Sequence, residues 1–118
     1  MKRFFTFAVA AALALGVALA VPAAATAAKP PHGLYQCYQY SASSGYLYAG
    51  GFKLVSATKY KSVSGGGGKY AVKGKKVTFK SGPFHDFAGK FGHDKSGAPI
   101  ITLTLKSDSS IKETCSHD

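Results

Sequence analysis

The chain is predicted to be all-β: a small antiparallel meander of seven or eight short strands, built as an up-and-down β-barrel or a barrel-like sandwich and closed by one disulfide. Three observations predict it. After residue 30 the apolar residues recur with period two, and no stretch keeps the 3.6 period of a helix. Clusters of Gly, Ser, Asp and Pro break that pattern every six to twelve residues, the spacing of a small all-β domain. The two cysteines, Cys37 and Cys115, stand near the two ends of this region. Pairing them sets the first and last strands side by side, which favours a closed meander over an open sandwich and removes the exposed sheet edges.

The elements follow in order. Leu34–Tyr40 reads as the first strand and Gly45–Val55 as the second, with a possible break at Gly50-Gly51. Thr58–Lys61 is a short third strand. Ser64–Gly68 reads as a loop, because successive glycines lose much backbone entropy in a regular element. Lys69–Lys73 and Lys75–Lys80 form a hairpin around Gly74, and Ser81-Gly82-Pro83 is a turn. Phe84–His93 is extended with an interruption at Gly89, and Asp94–Gly97 turns the chain. Ile100–Lys106 places Ile101, Leu103 and Leu105 on one face. Ser107–Ser110 is the last turn and Ile111–Cys115 the last strand.

The N-terminus has a different character. Met1-Lys2-Arg3 is followed by the uncharged run Phe4–Val21 and by the small-residue sites Ala23-Ala24-Ala25 and Ala25-Thr26-Ala27. That order is expected of a cleaved secretory signal peptide over residues 1–27, with cleavage between 25 and 28 and a single β domain over 28–118. Phe4–Ala28 is also long enough to span a bilayer. Its alanine content, Gly16, Pro22 and the lack of a basic cluster after it favour cleavage, and no transmembrane segment is expected in the mature protein. In an exported chain an even cysteine count reads as a disulfide, Cys37 to Cys115, the alternative being two buried thiols. Closing a loop of roughly 80 residues is worth about 4.5 kcal/mol in the chain-entropy account.

The net charge is +10, from 15 Lys+Arg against 5 Asp+Glu. Arg3 is the only arginine and departs with the leader, so every basic residue of the domain is lysine. Arginine is the residue of bidentate phosphate recognition, and its absence argues against a specific nucleic-acid reader while leaving general attraction to anionic surfaces. Alternation sends Lys53, Lys59, Lys61, Lys69, Lys73, Lys76 and Lys80 outward on consecutive strands, and all the acids come at or after Asp86. This is a candidate face for an anionic envelope polymer or lipid surface; the plainer reading is a solubilising coat that also guards strand edges.

Tyr38, Tyr40, Tyr46 and Tyr48 can cluster if the first two strands pair, either as a platform for sugars, nucleobases or a partner protein, or as ordinary cross-strand stabilisers. His85, His93 and His117 each precede an aspartate. They could share a metal ion only if the chain reverses at Ala88-Gly89-Lys90; otherwise they are surface histidines near turns. Catalysis has little to draw on. There is no Gly-x-Ser-x-Gly elbow, the Ser64–Gly68 run lacks the Lys-Ser/Thr of a phosphate-binding loop, and Glu113 is the single glutamate. The expectation is therefore a monomeric, non-catalytic binding domain without a cofactor. A carrier or inhibitor that takes a small apolar ligand or a partner protein is the alternative, and a small hydrolase is a more distant one.

Gly33-Leu34-Tyr35-Gln36-Cys37-Tyr38, Gly51-Phe52-Lys53-Leu54, Gly68-Lys69-Tyr70, Val77–Phe84 and Cys115 together form a Tyr-x-Cys … Gly-x-Tyr … Phe-x-Ser-Gly-Pro … Cys layout. In this the chain resembles a group of small exported bacterial proteins of uncharacterised function. The resemblance spans nearly the whole domain and implies an exported β-rich module. It implies no activity, since its motifs are turn glycines, core aromatics and the cysteine pair.

Overall fold

The computed structural model describes residues 28–118; the expected leader, residues 1–27, lies outside the described residues. Eight strands follow one another: β1 (Gly33–Ser41), β2 (Gly45–Leu54), β3 (Lys59–Ser62), β4 (Gly67–Lys73), β5 (Lys76–Phe79), β6 (Phe87–His93), β7 (Pro99–Leu105) and β8 (Asp108–His117). Each pairs antiparallel with the next, and β8 returns to β1 to close a barrel. Closure runs over Tyr35↔His117, Gln36↔Ser116, Cys37↔Cys115 and Tyr38↔Thr114, with the disulfide joining the directly opposed cysteines. The described residues contain no helix long and apolar enough to cross a membrane.

Period-two alternation sorts the side chains. Tyr35 and Cys37, Phe52 and Leu54, Tyr60, Tyr70, Val77 and Phe79, Phe91, Ile101 and Leu103, and Cys115 all turn inward and are buried. Aromatic rings occupy the interior in mutual contact: Phe52 stacks on Tyr35 at 5.3 Å, and meets Phe79 at 5.3 Å and Phe84 at 5.2 Å edge to face. Such contacts add to the burial of large apolar area that holds a domain of this size together.

The elements depart from expectation where backbone packs on backbone. Gly67 and Gly68 open β4 instead of lying in a loop. A Cβ on Gly67 would sit 2.5 Å from the Tyr60 carbonyl oxygen, and one on Gly68 would collide with the Ser81 carbonyl. These glycines let neighbouring chains approach, which outweighs their entropic loss. Gly50-Gly51 does not break β2; a bulge there leaves Ala49 without a partner between Cys37↔Gly50 and Tyr38↔Tyr48. Gly89 does not interrupt β6 either, because the space a side chain would fill is taken by Val77.

Phe84–Asp86 is a turn rather than extended chain. The His85 amide donates to the Gly82 carbonyl at 3.1 Å and the Phe87 amide to that of Phe84 at 3.0 Å, which folds the Phe84 ring into the core. The last turn is shorter than expected, since β8 begins at Asp108, whose carboxylate accepts from the Ser110 amide at 3.1 Å and hydroxyl at 2.6 Å.

Candidate functional site

All seven lysines singled out by alternation are exposed on the outer face of β2–β5 or directly after it, and Lys90 of β6 joins them. Register arranges them in rows. Lys53 lies opposite Lys61, Lys59 opposite Lys69, and Lys73 opposite Lys76, which in turn faces Lys90. Among the described residues the ion-pair contact is His85 with Asp86 at 3.2 Å, and none involves a lysine. Directly opposed like charges work against strand pairing. Lys90 escaped the sequence reading because a break was expected at Gly89; a continuous β6 would have sent it outward by the same alternation.

Gly67 lies opposite Lys61, and beside it is a groove of about 620 Å³ bounded by Lys59, Lys61, Lys69 and the Gly65–Gly68 backbone. A second depression of about 550 Å³ lies on the other side of the Lys59–Lys69 row, toward Ala71 and Lys80. The two grooves give the lysine ammonium groups room to surround an extended anion.

The tyrosine set assembles as the alternation allowed. Tyr38 meets Tyr48 at 5.5 Å and Tyr40 meets Tyr46 at 5.4 Å, both edge to face. The four rings form an exposed ladder on one face of the β1–β2 hairpin.

The three candidate histidines are not brought together. β6 runs straight through Ala88-Gly89-Lys90, because Gly89 pairs with Val77 on one side and Leu103 on the other. His85 therefore stays on the turn before β6, with Nδ1 2.9 Å from the Gly82 carbonyl. His93 stays at the far end of the strand against Phe91. His117 packs edge-on to Tyr35 at 4.9 Å, with Nε2 2.9 Å from the His32 carbonyl. The group that does have ligand-like spacing among the described residues is Cys37, Glu113 and Cys115, and its two sulfurs are bonded to each other.

Glu113, noted in the sequence as the single glutamate, is buried. It stands two positions before the inward Cys115, so alternation turns it into the barrel beside the disulfide. Its Oε1 has no hydrogen-bond partner, and burial pushes its carboxyl above the usual range. Asp94 and Asp108 are engaged as acceptors in their own turns. The Ser96 and Ser110 hydroxyls and nearby amides hold both carboxyls below the usual range.

No family model, curated protein or solved structure matches this chain.

Proposed function

We propose that this is a small exported, non-catalytic β-barrel that binds an anionic envelope or extracellular surface through its lysine face. The observation that carries the reading is the register: lysines oppose lysines across β2 to β6 with no carboxylate partner. A coat that served solubility alone would do as well with mixed signs and without the repulsion between paired strands. Clustered charge of one sign raises the local concentration of a polyanion and speeds its capture. Export is supported by the leader-like N-terminal residues and by the disulfide, which persists in oxidising compartments. The rings packed in the barrel interior weigh against the carrier alternative, which needs a hollow core.

Co-sedimentation with anionic vesicles and retention on an anionic polymer test the proposal. Retention should fall steeply between about 50 mM and about 500 mM salt, because exposed charge contacts are screened over a shorter length as salt rises. A Lys73→Gln/Lys76→Gln/Lys90→Gln variant should elute earlier than the parent. Retention that ignores both salt and these substitutions would overturn the reading.

A further inference from the structure

We propose that the anion is an acidic polysaccharide, and that Tyr38, Tyr40, Tyr46 and Tyr48 form the site on which its sugar rings stack. The inference rests on the polyanion reading of the lysine face and names the polymer. β1 pairs with β8 only as far as Tyr38, and β2 pairs with β3 only from Phe52 onward. Over Gln39–Ser41 and Gly45–Tyr48 the two strands pair in register only with each other, so the end of the hairpin projects from the barrel as a ribbon that carries Tyr40 and Tyr46, with Tyr38 and Tyr48 at its base on the same face. Tyr40 and Tyr46 are 68% and 70% exposed, so burial does not account for their rings.

An edge-to-face pair covers one face of one ring, and all four tyrosines of these pairs remain exposed. Open aromatic faces receive the C–H face of a sugar as they receive other apolar surfaces. Beside them Tyr38 and Tyr46, with Thr114 and Ser116 of β8, line a groove of about 400 Å³. That is within the roughly 300–1,000 Å³ of small-ligand sites. It offers rings and hydroxyl groups and no charged side chain, which is the chemistry of polyol recognition rather than of phosphate recognition.

The two surfaces are continuous. β2 carries Tyr46 and Tyr48 outward, passes the bulge, and then carries Lys53 outward opposite Lys61. Tyr48 and Lys53 lie opposite Tyr38 and Leu34, so they are roughly 13 Å apart along the strand pair. A single extended polymer with both rings and acidic groups can therefore lie on the tyrosines and on the first lysine row together. Single-stranded nucleic acid also combines rings with negative charge. The hydroxyl-lined groove and the absence of arginine from residues 28–118 favour the polysaccharide.

Three probes separate these possibilities on the oxidised protein. Polygalacturonate has rings and acids, inorganic polyphosphate has acids without rings, and oligothymidylate has bases and phosphates. The protein contains no tryptophan, so its intrinsic fluorescence reports tyrosine directly. Polygalacturonate should change that fluorescence and polyphosphate should bind without doing so. Tyr38→Ala/Tyr46→Ala should weaken polygalacturonate about tenfold, the scale of a lost aromatic stack, and leave polyphosphate binding unchanged. A cooperative thermal melt like the parent's shows the variant to be folded. If the tyrosine substitutions alter neither polyanion, the polysaccharide assignment is wrong and the lysine reading stands. If no polyanion binds, both fall. Tighter, tyrosine-dependent binding of oligothymidylate would replace the sugar with a nucleobase.

Discussion

Tyr35, Tyr60 and Tyr70 turn into the barrel and donate their hydroxyl hydrogens to the carbonyls of Pro31, Ser81 and Ser56, at 2.7, 2.7 and 2.6 Å. Burial pushes the pKa of all three hydroxyls above the usual tyrosine range, so they remain neutral donors. Tyr60 also accepts from the Phe84 amide at 3.0 Å, which ties down the Ser81-Gly82-Pro83 turn. A Cβ on Gly82 would sit 2.6 Å from that hydroxyl, and its φ of +86° is open to glycine at little strain. Glu113 has no such partner. Its carboxyl binds a proton more tightly in the folded than in the unfolded chain, so the stability it supplies is full below its ordinary value of 4.5 and is lost as pH rises through the raised value. Glu113→Gln should match the parent near pH 4 and be more stable at neutral pH by about 1 kcal/mol. Thermal melts across this range check it, and a difference that does not grow with pH would contradict it. Asp94 and Asp108 act with the opposite sign, losing stabilisation as pH falls through their lowered values, but they are common to both proteins and cancel in the difference.

At the scale of the strand, period two decided which side chains face out but not which of them face each other. Lys76 lies between Lys73 and Lys90 only because β4, β5 and β6 pair in one register. Lys76→Glu converts two repulsive cross-strand pairs into attractive ones and should stabilise the barrel by about 0.5–1 kcal/mol at low salt. The gain should shrink in about 1 M salt, where screening is short-ranged. The same change should weaken retention on anionic polymer. Chemical denaturation by urea at two salt concentrations, alongside the retention assay, measures both effects; a stability gain with unchanged retention would remove Lys76 from the binding face. Composition marks Ser64–Gly68 as a loop, yet Gly67 and Gly68 are strand because the Tyr60 and Ser81 backbones come close to them, and those neighbours lie on the flanking chain segments outside the glycine run.

The whole molecule depends on its seam. β1 and β8 meet over four register pairs, with the disulfide in the third of them, counted from Tyr35. The cysteines are 78 positions apart, so the bond restrains nearly the entire domain in the unfolded chain. Replacing both with alanine should cost roughly 2–5 kcal/mol, most of the margin of a small domain. A large fall in melting temperature is the expected outcome, with amide exchange rising first along β1 and β8. A double alanine variant that melts with the parent would mean that aromatic packing closes the barrel unaided.

The sequence by itself determined the class of fold, the approximate strands, the inward and outward sets of side chains, and the one pairing open to the two cysteines. These follow from the pleat of a strand, which is local, and from there being only one way to join two cysteines. The outward direction of the seven lysines and the clustering of four tyrosines were legible for the same reason. Tertiary structure decided what long-range pairing controls: the lysine rows, the continuity of β6 that keeps His85 and His93 apart, the bulge that lets the tyrosine hairpin leave the barrel, and the placing of Glu113 beside the disulfide. Register and closure depend on which segments pair across the barrel, and no local pattern of residues specifies that.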